Sequence, residues 1–256
     1  MGDNPIPLTK PFIIWTLQRT GGTNFNQFLC RSSVHSKWED EPFSEFRECG
    51  HVTKAFKADG DKVKLAEGVR EIMKKRRNIK HCVEKVHWSI TEALLKSSVE
   101  FGYVNLFLYR QNPTGRILST VYAERTRAWG PDRVQPEGED LDAFHEPLDI
   151  ITLLNAENKA INKLNKCWGQ LQAMNANPVA CSFEQLYLEG GDVSKGALAR
   201  VFDEFEVDQD SNLVELAYDV IRSKGEQKTR DRYGLFTNVS ELEASAKKLQ
   251  TFDFAT

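Results

Sequence analysis

Two glycines and a basic residue stand where an apolar run of the chain gives way to a helical pattern. The apolar run covers residues 12–17, and the helical pattern covers residues 23–31. The residues at this junction and just after it are Arg19, Thr20, Gly21, Gly22, Thr23 and Asn24. Glycines let a backbone approach an anion closely, and the amides and dipole at a helix N-terminus favour negative charge. The junction therefore predicts a phosphate-binding loop.

The predicted phosphate loop lacks the features of a metal-dependent nucleotide site. It does not end in the Gly-Lys-Ser or Gly-Lys-Thr of a Walker A motif, and no obvious metal-binding carboxylate follows it. The five cysteines are widely spaced without CxxC pairs, which argues against a zinc site and a disulfide framework. The sequence predicts no metal site, and a kinase is the weaker alternative.

Two further residues have side chains suited to the chemistry of a nucleotide enzyme. His87 could act as a general base, because the pKa of a histidine can lie near the operating pH. Taken alone, a half-buried structural histidine is the commoner outcome beside a residue such as Trp88. Arg110 ends an apolar run and could bind a phosphate through its guanidinium fork or pair with a structural carboxylate.

Alternating strand and helix patterns place these residues near the ends of strands. The predicted strands cover residues 12–17, 81–88, 103–109 and 178–183. The predicted helices cover residues 23–31, 65–77, 91–100, 116–129, 150–174, 195–204 and 212–222. This order predicts a P-loop-like, three-layer α/β fold, with a central, mainly parallel sheet of four to five strands and helices on both faces.

Three polar segments are predicted to lie at the surface. Residues 32–60 predict a long connection that could form the wall of a substrate cleft. Residues 130–148 are acidic and rich in proline, which predicts a mobile loop. The basic run 74–77 at the end of a predicted helix is expected to be solvated.

Composition and charge narrow the class of protein. A length of 256 residues with 40% apolar residues supports a single domain over residues 1–256. The net charge of -3 predicts no general attraction to nucleic acid or to an anionic membrane. No run approaches the roughly 18 apolar residues of a membrane span, and the N-terminus lacks the pattern of a signal peptide. We therefore expect a cytoplasmic protein with reduced cysteines, and a homodimer stays open.

The loop that begins at Arg19 resembles the 5′-phosphosulfate-binding loop of sulfotransferases, which use 3′-phosphoadenosine-5′-phosphosulfate (PAPS) as donor. In that family, Lys or Arg is followed by Ser or Thr, Gly, a small residue and Thr. Arg110 at the end of a strand, with Ser119 on the next helix, resembles the 3′-phosphate-binding segment of the family. Their separation is one residue longer than is usual in the family, so Arg116 stays a candidate ligand. The resemblance implies donor-binding units over residues 12–31 and 103–129.

Two alternatives for the general base follow from the resemblance. Lys85 and His87, placed at the end of the second predicted strand, resemble the Lys-x-His of cytosolic sulfotransferases, in which the histidine is the base. Residues 119–129 are most similar to the bacterial branch typified by trehalose 2-sulfotransferase, in which a glutamate soon after the first helix is the base. Glu39 and Glu41 are the nearest matches to that glutamate. Both alternatives stay open.

The remaining matches concern the nucleotide base and the reaction. Phe183 resembles the aromatic residue that stacks on adenine in the family, and Arg230 and Arg232 lie in a segment similar to the family's basic-aromatic closing segment. The resemblance implies that Arg19 neutralises the leaving group and that Lys85 assists, with no metal. The acceptor would be a hydroxyl, and the bacterial branch favours a carbohydrate or glycolipid. A nucleotide-phosphate-binding module without transfer activity is the second hypothesis, and a kinase is the third.

Overall fold

The structure, a computed structural model, describes residues 8–35, 37–127, 142–207, 211–223 and 233–254. Its strands are β1 (Phe12–Thr16), β2 (Trp38–Asp40), β3 (Asn78–Cys82), β4 (Val104–Tyr109) and β5 (Val179–Ser182). Its helices are α1 (Gly22–Arg31), α2 (Gly50–Asp59), α3 (Lys62–Met73), α4 (Trp88–Glu100), α5 (Pro113–Thr126), α6 (Asp142–His145), α7 (Ile150–Ala173), α8 (Gly191–Glu204), α9 (Ser211–Ser223) and α10 (Val239–Ala246). A π-helical turn, Gln185–Glu189, lies between β5 and α8.

The five strands form one parallel sheet in the order β2-β3-β1-β4-β5. Helices cover both of its faces. The predicted α/β class, with a mainly parallel sheet of four to five strands, is therefore confirmed. Because all strands run in the same direction, the residues that follow each strand meet at one edge of the sheet, here called the carboxyl edge. In open α/β sheets this edge is where ligands bind.

The central strand β1 is buried on both sides along its whole length. Ile13 and Trp15 pack in a core cluster with residues of α3, α4 and α7. Phe12 and Ile14 pack with residues of α1, α8 and α9 on the opposite face. Successive side chains of a strand point to opposite faces, so one short apolar run serves both cores. The loop after β1 is thus anchored to the most deeply buried strand of the sheet.

The second strand of the sequence prediction was placed wrongly. The prediction put it at residues 81–88, whereas β3 begins at Asn78 and ends at Cys82. Lys85 and His87 therefore lie in the turn before α4 and do not end a strand. Three polar residues of β3 are buried through hydrogen bonds or ion pairs rather than by apolar packing, namely Asn78, Lys80 and His81. A search for apolar alternation cannot detect such a strand.

Residues 32–60 do not form one long surface connection, because they contain β2 and α2. Glu39 of β2 is 5% exposed, and its carboxylate pairs with the guanidinium of Arg77, which is also 5% exposed. The expectation of a solvated basic run at 74–77 is wrong for Arg77. The buried carboxylate compensates the positive charge of the guanidinium, which would be strongly destabilising if it were buried without a partner.

The other predicted helices are present with ends displaced by a few residues, as α1, α3, α4, α7, α8 and α9. Helix α5 begins at Pro113 because Asn112 caps it and proline suits the first helical position. The expected mobile loop at 130–148 lies mostly outside the described residues, and α6 occupies part of its end. Helix α10 was not predicted. Within the described ranges, no helix combines the length and apolarity needed to cross a membrane.

Candidate functional site

The loop between β1 and α1 reverses the chain through two residues in the left-handed conformation. Arg19 has φ 60° and Gly21 has φ 77°. Helix α1 begins immediately afterwards, and no side chain among the described residues caps its N-terminus. The first amides of a helix have no acceptor within the helix, so they are available to an anion. A positive φ at a residue other than glycine is uncommon and often accompanies a binding site.

The two glycines of the loop lie close to side chains of other elements. A Cβ atom on Gly21 would lie 2.6 Å from Cε2 of Tyr187, in addition to the strain of its positive φ. A Cβ atom on Gly22 would lie 3.1 Å from Cδ of Lys80. The Tyr187 hydroxyl also donates to the Gly21 carbonyl over 2.9 Å. The loop is therefore held between an aromatic ring on one side and a lysine stem on the other.

Thr20 turns its side chain into the protein. It is 1% exposed, and its hydroxyl lies 2.9 Å from the Leu17 carbonyl and 2.5 Å from the Thr16 hydroxyl. This arrangement ties the loop to the end of β1. A ligand would meet the backbone of Thr20 rather than its hydroxyl, which is a smaller role than the one implied by the sequence resemblance.

Two arginines converge beside the loop from different strands. Arg19 Nε donates to Ser119 Oγ of α5 over 2.8 Å. Arg110, 5% exposed after β4, donates from Nη1 to the Arg19 carbonyl over 3.4 Å. Burial lowers the pKa of Arg19 from its usual value, and the positive charge of Arg110 lowers it further against the opposing effect of Tyr233. An anionic ligand placed here would relieve the repulsion between the two guanidinium groups.

Phe183 lies against the second arginine. The Arg110 guanidinium carbon is 4.5 Å from the centroid of the Phe183 ring, and the centroid of this ring lies 4.9 Å from that of Tyr187 at an interplanar angle of 36°. A cation over an aromatic face fixes the orientation of the guanidinium plane. The sequence-predicted residues Arg19, Arg110, Ser119 and Phe183 therefore form one cluster at the carboxyl edge.

Glu184 holds the turn that carries Arg110. Its carboxylate accepts hydrogen bonds from the amides of Gln111 over 2.8 Å and Asn112 over 3.1 Å, and it lies 3.9 Å from Arg110 Nε. Asn112 in turn accepts from the Gly115 amide and caps α5. The carboxylate links the ends of β4 and β5, so it sets the position of Arg110 relative to Phe183. This role of Glu184 was not predicted from the sequence, although the adjacent residue Phe183 was named.

A second cluster of charges lies on the other side of the loop. The Lys80 ammonium donates to Thr23 Oγ1 over 3.0 Å and pairs with Asp40 Oδ1 at 2.6 Å and Glu41 Oε1 at 3.2 Å. Lys85 Nζ contacts Glu41 Oε2 at 2.8 Å. Burial alone would raise the pKa of Glu41, but the charges and hydrogen bonds of Lys80 and Lys85 outweigh it and hold the pKa below its ordinary value. Glu41 is therefore ionised at neutral pH.

His87 makes different contacts from Lys85. Its Nδ1 accepts from the Ser89 amide over 3.2 Å and caps α4, and its ring lies 5.3 Å from the Phe56 ring of α2. These contacts tie the imidazole to α2 and α4, whereas Lys85 and Glu41 join the cluster next to Thr23. The structure thus brings only one of the two candidate bases into contact with the residues around the loop.

Arg116 is a structural residue. Its guanidinium donates from Nε to Glu157 Oε1 over 2.8 Å and from Nη1 to Glu84 Oε1 over 3.2 Å. Glu84 also accepts the amide of Gln18, which precedes the loop. Arg116 is 5% exposed, and two carboxylates already compensate its charge. These contacts favour Arg110 over Arg116 as the ligand of a phosphate beside Ser119.

Arg230 and Arg232 lie outside the described residues, whereas the next residue, Tyr233, is close enough to Arg19 to influence its charge. Among the residues that the structure covers, no group of three or more histidine, cysteine, aspartate or glutamate side chains is placed to hold a metal ion. Comparison of the sequence with protein-family models gives no match, and comparison with curated protein sequences gives none either.

Proposed function

We propose that the protein is a sulfotransferase that moves a sulfuryl group from PAPS to a hydroxyl of an acceptor. The observation that carries the proposal is the convergence of Arg19, Arg110 and Ser119 beside the glycine loop at the start of α1. PAPS carries phosphate at both its 5′ and 3′ positions. A loop of helix amides suits the first, and an arginine and a serine hydroxyl suit the second.

The residues of the cluster fit a donor of this class. Arg110 provides a fork of donors, Phe183 provides an aromatic surface beside it, and Arg19 bridges the loop and Ser119. In this scheme the loop amides and Thr23 hold the 5′-phosphate. Arg19 is the cation closest to the developing charge of the leaving group, so it contributes the electrostatic stabilisation that a metal ion supplies in many kinases.

The transfer needs a group that accepts the proton of the acceptor hydroxyl. The bond between sulfur and the donor phosphate oxygen breaks, a bond between sulfur and the acceptor oxygen forms, and the hydroxyl proton passes to a base. We assign this base to Glu41, because Lys80 joins its carboxylate to Thr23 of the donor loop. His87 is the alternative base, and its contacts lie with Phe56 and Ser89 instead.

The acceptor class and the location of the protein are further parts of the proposal. The resemblance to the bacterial branch favours a carbohydrate or glycolipid hydroxyl as acceptor. The modest net charge of -3 favours a small molecule or glycan over nucleic acid, and we place the protein in the cytoplasm.

Calorimetry with 3′-phosphoadenosine 5′-phosphate (PAP), the desulfated product, tests the donor site. Wild type, Arg19→Ala, Arg110→Ala and the surface control Arg70→Ala are titrated without magnesium, with ADP as the control ligand. Arg70 pairs with Glu100 on the helices away from the loop. We expect binding that needs the 3′-phosphate and both site arginines and is unchanged in Arg70→Ala.

Turnover separates the remaining hypotheses. Release of sulfate from radiolabelled PAPS, or its transfer to added glycans, supports the enzyme. PAP binding without any loss of sulfate would instead favour a nucleotide-binding module. If the protein does not bind PAP and binds ADP only when magnesium is present, the proposal would be overturned in favour of a kinase.

A further inference from the structure

Lys80 is a buried cation in the middle of the site, and no sequence motif singled it out. It is 7% exposed and lies on β3, next to the central strand. Its ammonium reaches three oxygens, Thr23 Oγ1 of α1 and, at the end of β2, Asp40 Oδ1 and Glu41 Oε1. The contact with Thr23 is a hydrogen bond, and the contacts with Asp40 and Glu41 are ion pairs.

Stability alone does not account for this arrangement. Burying an ammonium costs several kcal/mol, and replacing a buried ion pair by apolar residues of similar volume is often neutral or stabilising. The stem of Lys80 also passes close to the loop, so that a Cβ atom at position 22 would lie 3.1 Å from its Cδ. A smaller apolar residue on β3 would avoid the burial of a charge and would relieve this close approach. The lysine therefore has a use that apolar packing cannot provide.

We propose that Lys80 is a positioning residue that fixes the Glu41 carboxylate relative to the donor loop, so that donor binding and proton abstraction share one frame. This inference rests on the proposed function and assigns a role to a residue of the same site. Lys80 acts through its neighbours: it donates a hydrogen bond to the Thr23 hydroxyl, and its charge holds the carboxylates of Asp40 and Glu41 at the end of β2.

The charge of Lys80 also sets the protonation of Glu41. Glu41 faces Lys80 and Lys85 directly, its chain neighbour Asp40 shares Lys80, and its charge reaches His81 and Cys82 of β3. Burial raises the pKa of Glu41, and Lys80 provides the largest opposing electrostatic effect. Removal of Lys80 therefore raises this pKa. A base works above its pKa, so the acid limb of the pH–rate profile would move to higher pH in a variant without Lys80.

Lys80→Met and Lys80→Arg test the role through hydrolysis of PAPS, with water as the acceptor. Sulfate release is measured against pH, and PAP affinity is measured in parallel. For Lys80→Met we expect a rate about 10²-fold lower at neutral pH, an acid limb at higher pH and a loss of PAP affinity of less than about tenfold. Lys80→Arg keeps the charge, so its acid limb should stay near that of wild type.

Asp40→Asn gives a shift in the opposite direction and does not depend on the folding of Lys80→Met. It removes a negative charge near Glu41, and Lys80 then pairs with the Glu41 carboxylate only. The pKa of Glu41 should fall, so the acid limb should move to lower pH. Lys85→Met should move the limb to higher pH by less than Lys80→Met, because Lys85 is partly exposed and its charge is screened. Lys64→Met, on the surface of α3, is the control without effect.

The titration of Glu41 can also be followed without turnover, by carboxyl ¹³C NMR with Glu41→Gln for assignment. If the wild type is active but neither Lys80→Met nor Asp40→Asn shifts the acid limb or the titration of Glu41, the positioning role of Lys80 is wrong. The proposed function would still stand. A wild type that binds no PAP and releases no sulfate would overturn the proposed function and, with it, the positioning role.

Discussion

The two sides of the phosphate loop differ in how their charges are compensated. On one side, Arg19 and Arg110 lie close together with Ser119 and Phe183, the Glu184 carboxylate lies 3.9 Å from Arg110 Nε, and the pKa of Arg19 is lowered. On the other side, Lys80 and Lys85 alternate with Asp40 and Glu41, so each positive charge contacts a negative one. The first side suits a polyanionic nucleotide. The second keeps a carboxylate ionised without attracting a further anion.

Arg19→Ala should produce the largest effect, because Arg19 is the cation that the proposed function places nearest to the leaving group. We expect sulfate release from PAPS to fall by about 10³-fold or more, which is the scale of removing a transition-state arginine in phosphoryl transfer. Arg19→Lys should restore only part of the rate, since an ammonium lacks the fork that also reaches Ser119. Wild-type rates in both variants would show that the two sides do not divide the work as described.

Arg110→Ala should weaken nucleotide binding without changing the cluster of Lys80, Lys85, Asp40 and Glu41 on the other side of the loop. We expect the affinity for PAP to fall about 10- to 100-fold, the usual scale for a charged hydrogen bond, while the affinity for AMP, which lacks the 3′-phosphate, stays the same. Calorimetry with the two nucleotides measures the difference. An equal loss for both nucleotides would move Arg110 away from the 3′-phosphate.

His81 of β3 should make the free energy of unfolding of the protein sensitive to acid. Burial lowers its pKa to about 4, so the folded protein resists its protonation while the unfolded chain takes up a proton near the ordinary value. Stability is full above the unfolded pKa and is lost as the pH falls toward the folded one. We expect the free energy of unfolding to drop by about 2 kcal/mol between pH 7 and pH 5, measured by urea titration.

The matched variant for this prediction is His81→Gln, which retains a hydrogen-bonding group toward Thr91. Its stability should depend less steeply on pH over the same window. An identical slope in wild type and variant would assign the acid sensitivity to other groups.

Glu184→Gln should have the smallest effect, because the amide oxygen can still accept one of the two backbone hydrogen bonds at the turn before α5. We expect PAP affinity to fall about threefold to tenfold through a looser Arg110. Glu189→Gln, at the exposed end of the π-helical turn, is the matched control. A loss as large as that of Arg110→Ala would mean that Glu184 meets the ligand itself.

The sequence predicted the arginine cluster after β1 and β4 better than the cluster around Lys80, for a physical reason. The junction after β1 has a local signature, since apolar residues, glycines and a helix start follow one another along the chain. Lys80 has none, because its partners Thr23, Asp40 and Glu41 come from other elements and only the tertiary fold brings them together. A charged residue within a strand gives no sign that it is buried.

The spacing of Arg110 and Ser119 shows the same limit on a smaller scale. Both residues were named from the sequence as partners on one phosphate, and the structure adds a hydrogen bond from Arg19 to Ser119 that the sequence did not predict. The helix that carries Ser119 starts at Pro113 after the Asn112 cap, and this start fixes the direction in which Ser119 points. Spacing alone does not contain that direction.

The parallel order of the sheet has a consequence for how quickly the site can form. Arg19 and Ser119 are 100 residues apart in the chain, and Tyr187 meets Gly21 from 166 residues away. Forming such contacts first costs the conformational entropy of closing a long loop, and the stabilising interactions follow only afterwards. Folding is therefore expected to be slow compared with that of a helical protein of this length. The arginine cluster should therefore appear late in refolding, and nucleotide binding would report the last step of assembly rather than the first collapse.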